Sequence, residues 1–274
     1  MGTPTHDRPF GHFALPPARE RIRAGADACA DTRLGRWAIS ARRKRAVRGL
    51  TEPFDVAVAP HVRARLYPSD NRCEKRALAG VQVWDADERR ALRKAVENGS
   101  GSFVFLDVGS NAGLYTLFVH AYARAADRPV RLIAVEPSAE MAARLQVNAA
   151  ASGAAVELVR SAVSDAPGEA LLSDGDGNRG EARISDEGAS VPVETLAGLC
   201  ARLGVARIDA MKIDIEGHDE RALRAFVADA PASLHPHLLI AETASGDSPI
   251  VELTRAQNYL LADATSLNAI LKKR

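Results

Sequence analysis

The chain has 274 residues, 46% hydrophobic and 26% charged, a globular balance that excludes a wholly disordered polymer. Its formal net charge of +1 argues against a dedicated nucleic-acid binder, which carries a strongly basic face. Cys29, Cys73 and Cys200 are too few and too far apart for a disulfide framework or a CxxC zinc pattern, and no apolar run approaches the roughly 20 residues of a membrane span, so the expected compartment is the reducing cytoplasm.

Residues 1–35 are rich in Pro, Arg and Gly, lack periodicity and the apolar core of a signal peptide, and read as a flexible basic tail. Residues 36–100 read as an N-terminal helical and hairpin extension. The basic run Arg33 to Arg48 reads as a solvated helix face, with a patch for anionic lipid, nucleic acid or an acidic substrate as the less favoured reading, and the alternation from Phe54 to Leu66 reads as a short hairpin or strand pair. Tyr67-Pro68-Ser69-Asp70-Asn71 is a turn, and Val83 to Val96 is a helix capped by Asp85 or Asp87 and ended by Asn98-Gly99. Residues 101–274 read as one α/β domain. Short apolar runs at about 103–108, 131–135, 155–160, 208–214 and 237–241 are buried strands. Helices separate them, one spaced through Leu114, Leu117, Phe118, Ala121 and Tyr122, one capped by Ser138 and ended by Gly153, and one over HDERALRAFVADA. Such alternation predicts a Rossmann-like, mostly parallel sheet with helices on both faces. The pattern breaks between Ser164 and Val193 into a Gly-rich acidic excursion. There Asp174-x-Asp176-x-Asn178 opens like a calcium loop, but Arg179 and Ser185 stand where Gly and Glu are required, so the segment reads as an acidic turn.

Asp107-Val108-Gly109-Ser110-Asn111-Ala112-Gly113 joins the first of these strands to its helix, where ligands bind in open parallel sheets. Gly109 and Gly113 are expected to let a ligand approach the backbone. Asp107 suits a cationic ligand group better than a pyrophosphate, and neither G-x-G-x-x-G nor a P-loop is present, because Asn111 occupies the middle glycine. Glu136 ends the next strand, where a carboxylate can hold ribose hydroxyls. Asp214, Glu216 and His218 end the fourth and are candidate bases for an acceptor hydroxyl, in that order. A divalent cation held by this cluster with Glu242 is the less favoured reading, and no metal site is assigned.

The pieces LDVGSNAGLYTLF, AVEPSAEMAARLQVNAA, SAVSD and MKIDIEGHDERAL, in that order, resemble the FkbM family of S-adenosylmethionine-dependent methyltransferases. The resemblance runs from about Tyr67 to Glu242 and implies a class I methyltransferase fold. It implies that Asp107, Gly109, Ser110, Asn111 and Gly113 surround the methionine part of the cofactor, and that Glu136 binds its ribose. Ser161 and Ala162 would lie near the adenine, and Asp214 beside the sulfonium and the acceptor. It further implies O-methylation of a sugar, glycan or natural-product hydroxyl, with a small-molecule or carbohydrate acceptor as partner. A non-catalytic binding module is the alternative, and an NAD(P)-dependent oxidoreductase is disfavoured by the missing glycines. Only Ala244 to Pro249 separates LLIAET from IVELTRAQNYLLAD, so the helix before the terminal strand pair is expected to be short or missing.

Overall fold

The computed structural model describes residues 5–173, 183–185, 188–215, 217–243, 248–265 and 267–274; the acidic stretch Asp174–Asn178 and the candidate base Glu216 lie outside them. Two helices, α1 (Pro17–Ala24) and α2 (Arg33–Val47), precede the antiparallel hairpin β1 (Phe54–Ala59) and β2 (Val62–Leu66). Helix α3 (Arg72–Leu78) follows, N-capped by Asn71, whose Oδ1 accepts the Glu74 N–H at 3.1 Å. Helix α4 (Ala86–Glu97) begins three residues later than expected, after a 3₁₀ turn at Val81–Val83. Asp85 stands at its N-cap position in a left-handed conformation, φ 42°, and makes no side-chain cap. The carboxylate expected to cap is drawn away by Tyr115, whose hydroxyl donates to Asp85 Oδ2 at 2.9 Å.

Residues 5–35, expected as a flexible tail, are folded onto the hairpin. Arg65, 1% exposed, grips both oxygens of Asp55 at 2.7 and 3.0 Å. Its remaining N–H groups donate to the carbonyls of Thr5 (2.5 Å), Arg8 (2.9 Å) and Pro9 (3.0 Å). Arg23 of α1 reaches the Leu78 carbonyl at 3.2 Å and so ties α1 to α3.

The main domain continues through β3 (Phe103–Val108), α5 (Leu114–Ala125), β4 (Val130–Val135), α6 (Ala139–Ser152) and β5 (Val156–Val159). A side sheet follows, built from β6 (Ala162–Val163), β7 (Gly168–Ser173), β8 (Arg183–Ser185) and β9 (Ala189–Glu194) in the order β6-β9-β7-β8. The chain then runs through α7 (Leu196–Arg202), β10 (Ala210–Ile213), α8 (Asp219–Asp229), β11 (Leu238–Glu242), α9 (Pro249–Arg255), β12 (Tyr259–Ala264) and β13 (Asn268–Lys273). Helix α7 was not expected; it is only seven residues long, capped by Thr195 Oγ1 on the Gly198 N–H. Helix α9 is present but short, also seven residues.

The seven-stranded sheet has the order β12-β13-β11-β10-β3-β4-β5, with β13 antiparallel to both neighbours and the other described pairings parallel. Alternation along β3 sends Phe103 and Phe105 into the core shared with α4, α5, α6 and the hairpin. Leu106 and Val108 go to the core shared with α7, α8 and α9. This is the Rossmann-like, mostly parallel sheet with helices on both faces that the sequence implied. Strand order reverses between β3 and β10, which opens a crevice at their carboxyl ends. Among the described residues, no helix is long and apolar enough to cross a membrane.

Candidate active site

The crevice is framed by the loop from β3 to α5. The N–H groups of Gly109 and Ser110 both donate to the Val135 carbonyl, each at 3.0 Å, which folds the loop back over β4. Gly109 is left-handed, φ +73°, and a Cβ there would lie 1.8 Å from the Asp214 carbonyl oxygen. At Gly113, φ +82°, a Cβ would lie 2.7 Å from Leu145 Cγ. Both glycines therefore clear space for neighbouring chain, the end of β10 and the side of α6, and Gly109 also lines the crevice. Between them Asn111 is also left-handed, φ 52°. Its Oδ1 accepts from Asn71 Nδ2 at 2.7 Å, which fastens the N-terminal extension to the loop.

Asp107, fully buried, accepts the Thr116 hydroxyl at 2.6 Å and the Thr116 N–H at 3.1 Å, both on Oδ2. Oδ1 of Asp107 and Oγ of Ser110 are buried and have no hydrogen-bond partner among the described residues. Burial pushes the Asp107 carboxyl up, and the charge of Lys212 pulls it back. Lys212 is itself buried, with Nζ 2.9 Å from Asp214 Oδ2 and 5.1 Å from the Tyr115 ring centroid. The Lys212 charge holds the Asp214 carboxyl below its usual range. That makes Asp214, expected first among the candidate bases, the ion-pair partner of Lys212. Asp85 differs: burial raises its carboxyl.

Glu136 is 5% exposed. Its Oε2 accepts the Asn111 N–H at 2.7 Å and its Oε1 accepts the Ser138 N–H at 2.9 Å. It thus clamps the loop between β3 and α5 to the start of α6. Burial pushes its carboxyl up to about 7, while those two N–H groups act to lower it. Since the folded value exceeds the unfolded 4.5, the group favours folding in its protonated form, and this contribution is lost as pH rises through 7. Urea titrations should show wild type losing up to ~3 kcal/mol relative to Glu136→Gln between pH 5 and 8. A difference that does not change with pH would contradict the assignment.

A cavity of about 210 Å³ collects Asp107, Gly109, Ser110, Asn111 and Asp214 from the expected set. It adds Asp85, Tyr115 and Lys212, together with Glu242 from the end of β11. The other expected residues stand apart from it. Gly113 caps the start of α5, Glu136 accepts the Asn111 N–H of the loop, and Ser161 and Ala162 lie at the side sheet. His218 is drawn to Ser164, with Nδ1 3.4 Å from its Oγ, and not to the cavity that holds Asp214. Among the described residues, no group of three or more His, Cys, Asp or Glu is placed to hold a metal ion. A second cavity of about 440 Å³ adjoins the first, and Arg76, Trp84, Asp85, Leu267 and Asn268 line both. Of the residues missed from sequence, Lys212 had a signal, since it lies two positions from Asp214 on a strand and shares its side. Asp85 had none, because its left-handed backbone aims it.

Among solved structures, the chain is similar to a SAM-dependent methyltransferase from Agrobacterium tumefaciens, at 13% identity and a TM-score of 0.47, covering 82% of this chain and 71% of that one. It is also similar to a putative class I S-adenosylmethionine-dependent methyltransferase from Listeria monocytogenes, at 11% identity and a TM-score of 0.41, covering 97% and 71%. No curated protein matches the chain. The model of the methyltransferase FkbM domain matches residues 107–264, from the buried Asp107 of the crevice to the end of β12. More than half of the chain lies in that match, and the protein belongs to the FkbM methyltransferase domain family.

Proposed function

We propose that the protein transfers the methyl group of S-adenosylmethionine to a hydroxyl oxygen of a small or carbohydrate-like acceptor in the crevice between β3 and β10. The observation that carries this reading is the pair of unpartnered buried oxygens, Asp107 Oδ1 and Ser110 Oγ, on residues that line the cavity of a methyltransferase-family domain. Such orphaned acceptors carry a desolvation cost that a ligand ammonium would relieve. They fit the cationic amino-acid end of this cofactor. The cofactor supplies an electrophilic methyl group on a sulfonium.

The chain's own residues do the rest. Asp107, kept ionisable by Lys212, receives the ammonium. Glu136 holds one N–H on each oxygen and keeps a lone pair on each for the ribose hydroxyls. Ser161 and Ala162 flank the adenine. Asp214 with Lys212 forms a fixed dipole that orients donor and acceptor, and such alignment can supply about 7–11 kcal/mol of a bimolecular barrier. The acceptor proton passes to Asp85, whose Oδ2 is steadied by the Tyr115 hydroxyl and whose Oδ1 is left to receive it. Asp85 lines both cavities and has the raised carboxyl that Asp214 lacks.

Release of S-adenosylhomocysteine over a panel of hydroxy acids, sugars and glycans tests the reading. Asp85→Asn should lower kcat about 10²–10⁴-fold, the usual worth of a positioned base, with unchanged affinity for S-adenosylhomocysteine. Wild-type turnover in Asp85→Asn beside an inactive Asp214→Asn would return the proton to Asp214. Cofactor binding with no turnover on any acceptor would favour a binding module.

A further inference from the structure

The second cavity is walled by the N-terminal extension and the turn between β12 and β13, and its charges are unevenly matched. Its four carboxylates all accept hydrogen bonds, two from arginines and two from neutral donors. Asp31 accepts from Arg36 Nε at 2.5 Å, and Asp87 pairs with Arg90. Glu88 Oε1 accepts from Thr265 Oγ1 at 2.7 Å and from Asn268 Nδ2 at 2.8 Å, and Asp85 accepts from Tyr115. Two of its guanidinium groups are not so matched. Arg43 of α2, partly buried, donates to the Lys75 carbonyl at 3.3 Å and meets no carboxylate among the described residues. Arg76 of α3 is exposed and has no carboxylate within ion-pair distance among them, although its charge acts on Asp85 of the same cavity. Burial lowers the basicity of Arg43, and the neighbouring charge of Arg76 lowers it further.

Two like charges brought together on a cavity wall repel, and here Arg43 is partly buried while Arg76 is exposed. An arrangement of this kind becomes favourable when an anion with two oxygens bridges the guanidiniums, for which their planar forks are suited. The bridge would stand in a space that shares Trp84 and Asp85 with the first cavity. A volume of about 440 Å³ falls within the range of small-molecule sites.

We propose that this cavity is the acceptor site, and that Arg43 and Arg76 select an acceptor carrying a carboxylate or phosphate group whose hydroxyl is directed to Asp85. The inference rests on the methyltransferase reading above and narrows its substrate class. In the reaction the acceptor oxygen bonds to the methyl carbon as the carbon–sulfur bond breaks. That electron pair stays on sulfur, and the hydroxyl proton goes to Asp85 Oδ1.

The protein has two tryptophans, Trp37 and Trp84. Trp37→Phe removes the exposed one and leaves Trp84 as a fluorescent reporter within the cavity wall. This variant, with and without saturating S-adenosylhomocysteine, would be titrated with glucose 6-phosphate, gluconate and glucose. The two anions should give a saturable Trp84 response, and their relative affinities tell phosphate from carboxylate. Glucose should give none over the same range. Arg43→Gln and Arg76→Gln should each weaken the anion at least tenfold, whereas Arg36→Gln, on the rim and paired with Asp31, should keep wild-type affinity. Equal affinity for glucose, or anion affinity unchanged in Arg76→Gln with an unchanged urea midpoint, would overturn the proposal. An arginine-dependent anion response in a protein that calorimetry shows not to bind S-adenosylhomocysteine would uphold the anion site while removing the methyltransferase reading.

Discussion

Arg65→Ala is expected to destabilise the protein by about 3–5 kcal/mol, the cost of removing one partner from a buried ion pair. The side chains of Arg65 and Asp55 are 1% and 0% exposed, so neither charge has water to fall back on. The substitution also leaves the carbonyls of Thr5, Arg8 and Pro9 without their donor. The guanidinium carbon lies 4.7 Å from the centroid of the Phe13 ring, a contact that is lost as well. Asp55 keeps the N–H groups of Gly11 and Phe13 on Oδ2, but these do not neutralise it. The urea midpoint should fall sharply, and limited proteolysis should open the segment before α1 first. Replacing both partners, as in Asp55→Asn with Arg65→Met, should cost less than Arg65→Ala alone, because no lone buried charge remains. A single variant with a wild-type midpoint would show that the network contributes nothing.

Lys212→Met is expected to weaken S-adenosylhomocysteine binding at least tenfold at neutral pH, with little change in the shape of the crevice. Lys212 is the cation that counters burial at Asp107 and holds Asp214 ionised. Without it both carboxyls move upward. A protonated Asp107 no longer offers a charge to the ligand ammonium. The sign of the pH dependence follows: binding to the variant should recover as pH rises and Asp107 ionises again, whereas wild type should change much less over that range. Calorimetric titration at neutral and alkaline pH reads this directly. A loss of affinity that is the same at every pH would mean that Lys212 acts by packing against Tyr115 instead.

The half of the fold that carries the cofactor loop was legible because its signals are local. The buried strands β3, β4, β10 and β11 are short apolar runs, and α6 announces both its ends through Ser138 and Gly153. What could not be read depends on partners distant in sequence. Residues 5–35 look like a tail because their anchors lie far off in sequence: Arg65, about 60 positions away, grips the carbonyls of Thr5 and Arg8, and Arg23 reaches the Leu78 carbonyl. Asp85 reads as a helix cap, and only its left-handed backbone turns it to Tyr115 and the cavities. Gly109 and Gly113 were correctly picked out as special, yet what they accommodate is Asp214 and Leu145. Alternation placed Asp214 at the crevice but did not carry to His218, since left-handed Gly217 breaks the strand path and α8 begins.

The most direct test of the central claim is calorimetric titration of the purified protein with S-adenosylhomocysteine, NAD and NADP, in wild type and in Asp107→Ala. The structure predicts saturable binding of S-adenosylhomocysteine alone, at least tenfold weaker in Asp107→Ala. Binding of a nicotinamide cofactor in its place, or equal affinity in the two proteins, would contradict the assignment of the β3–β10 crevice as the methyl donor site.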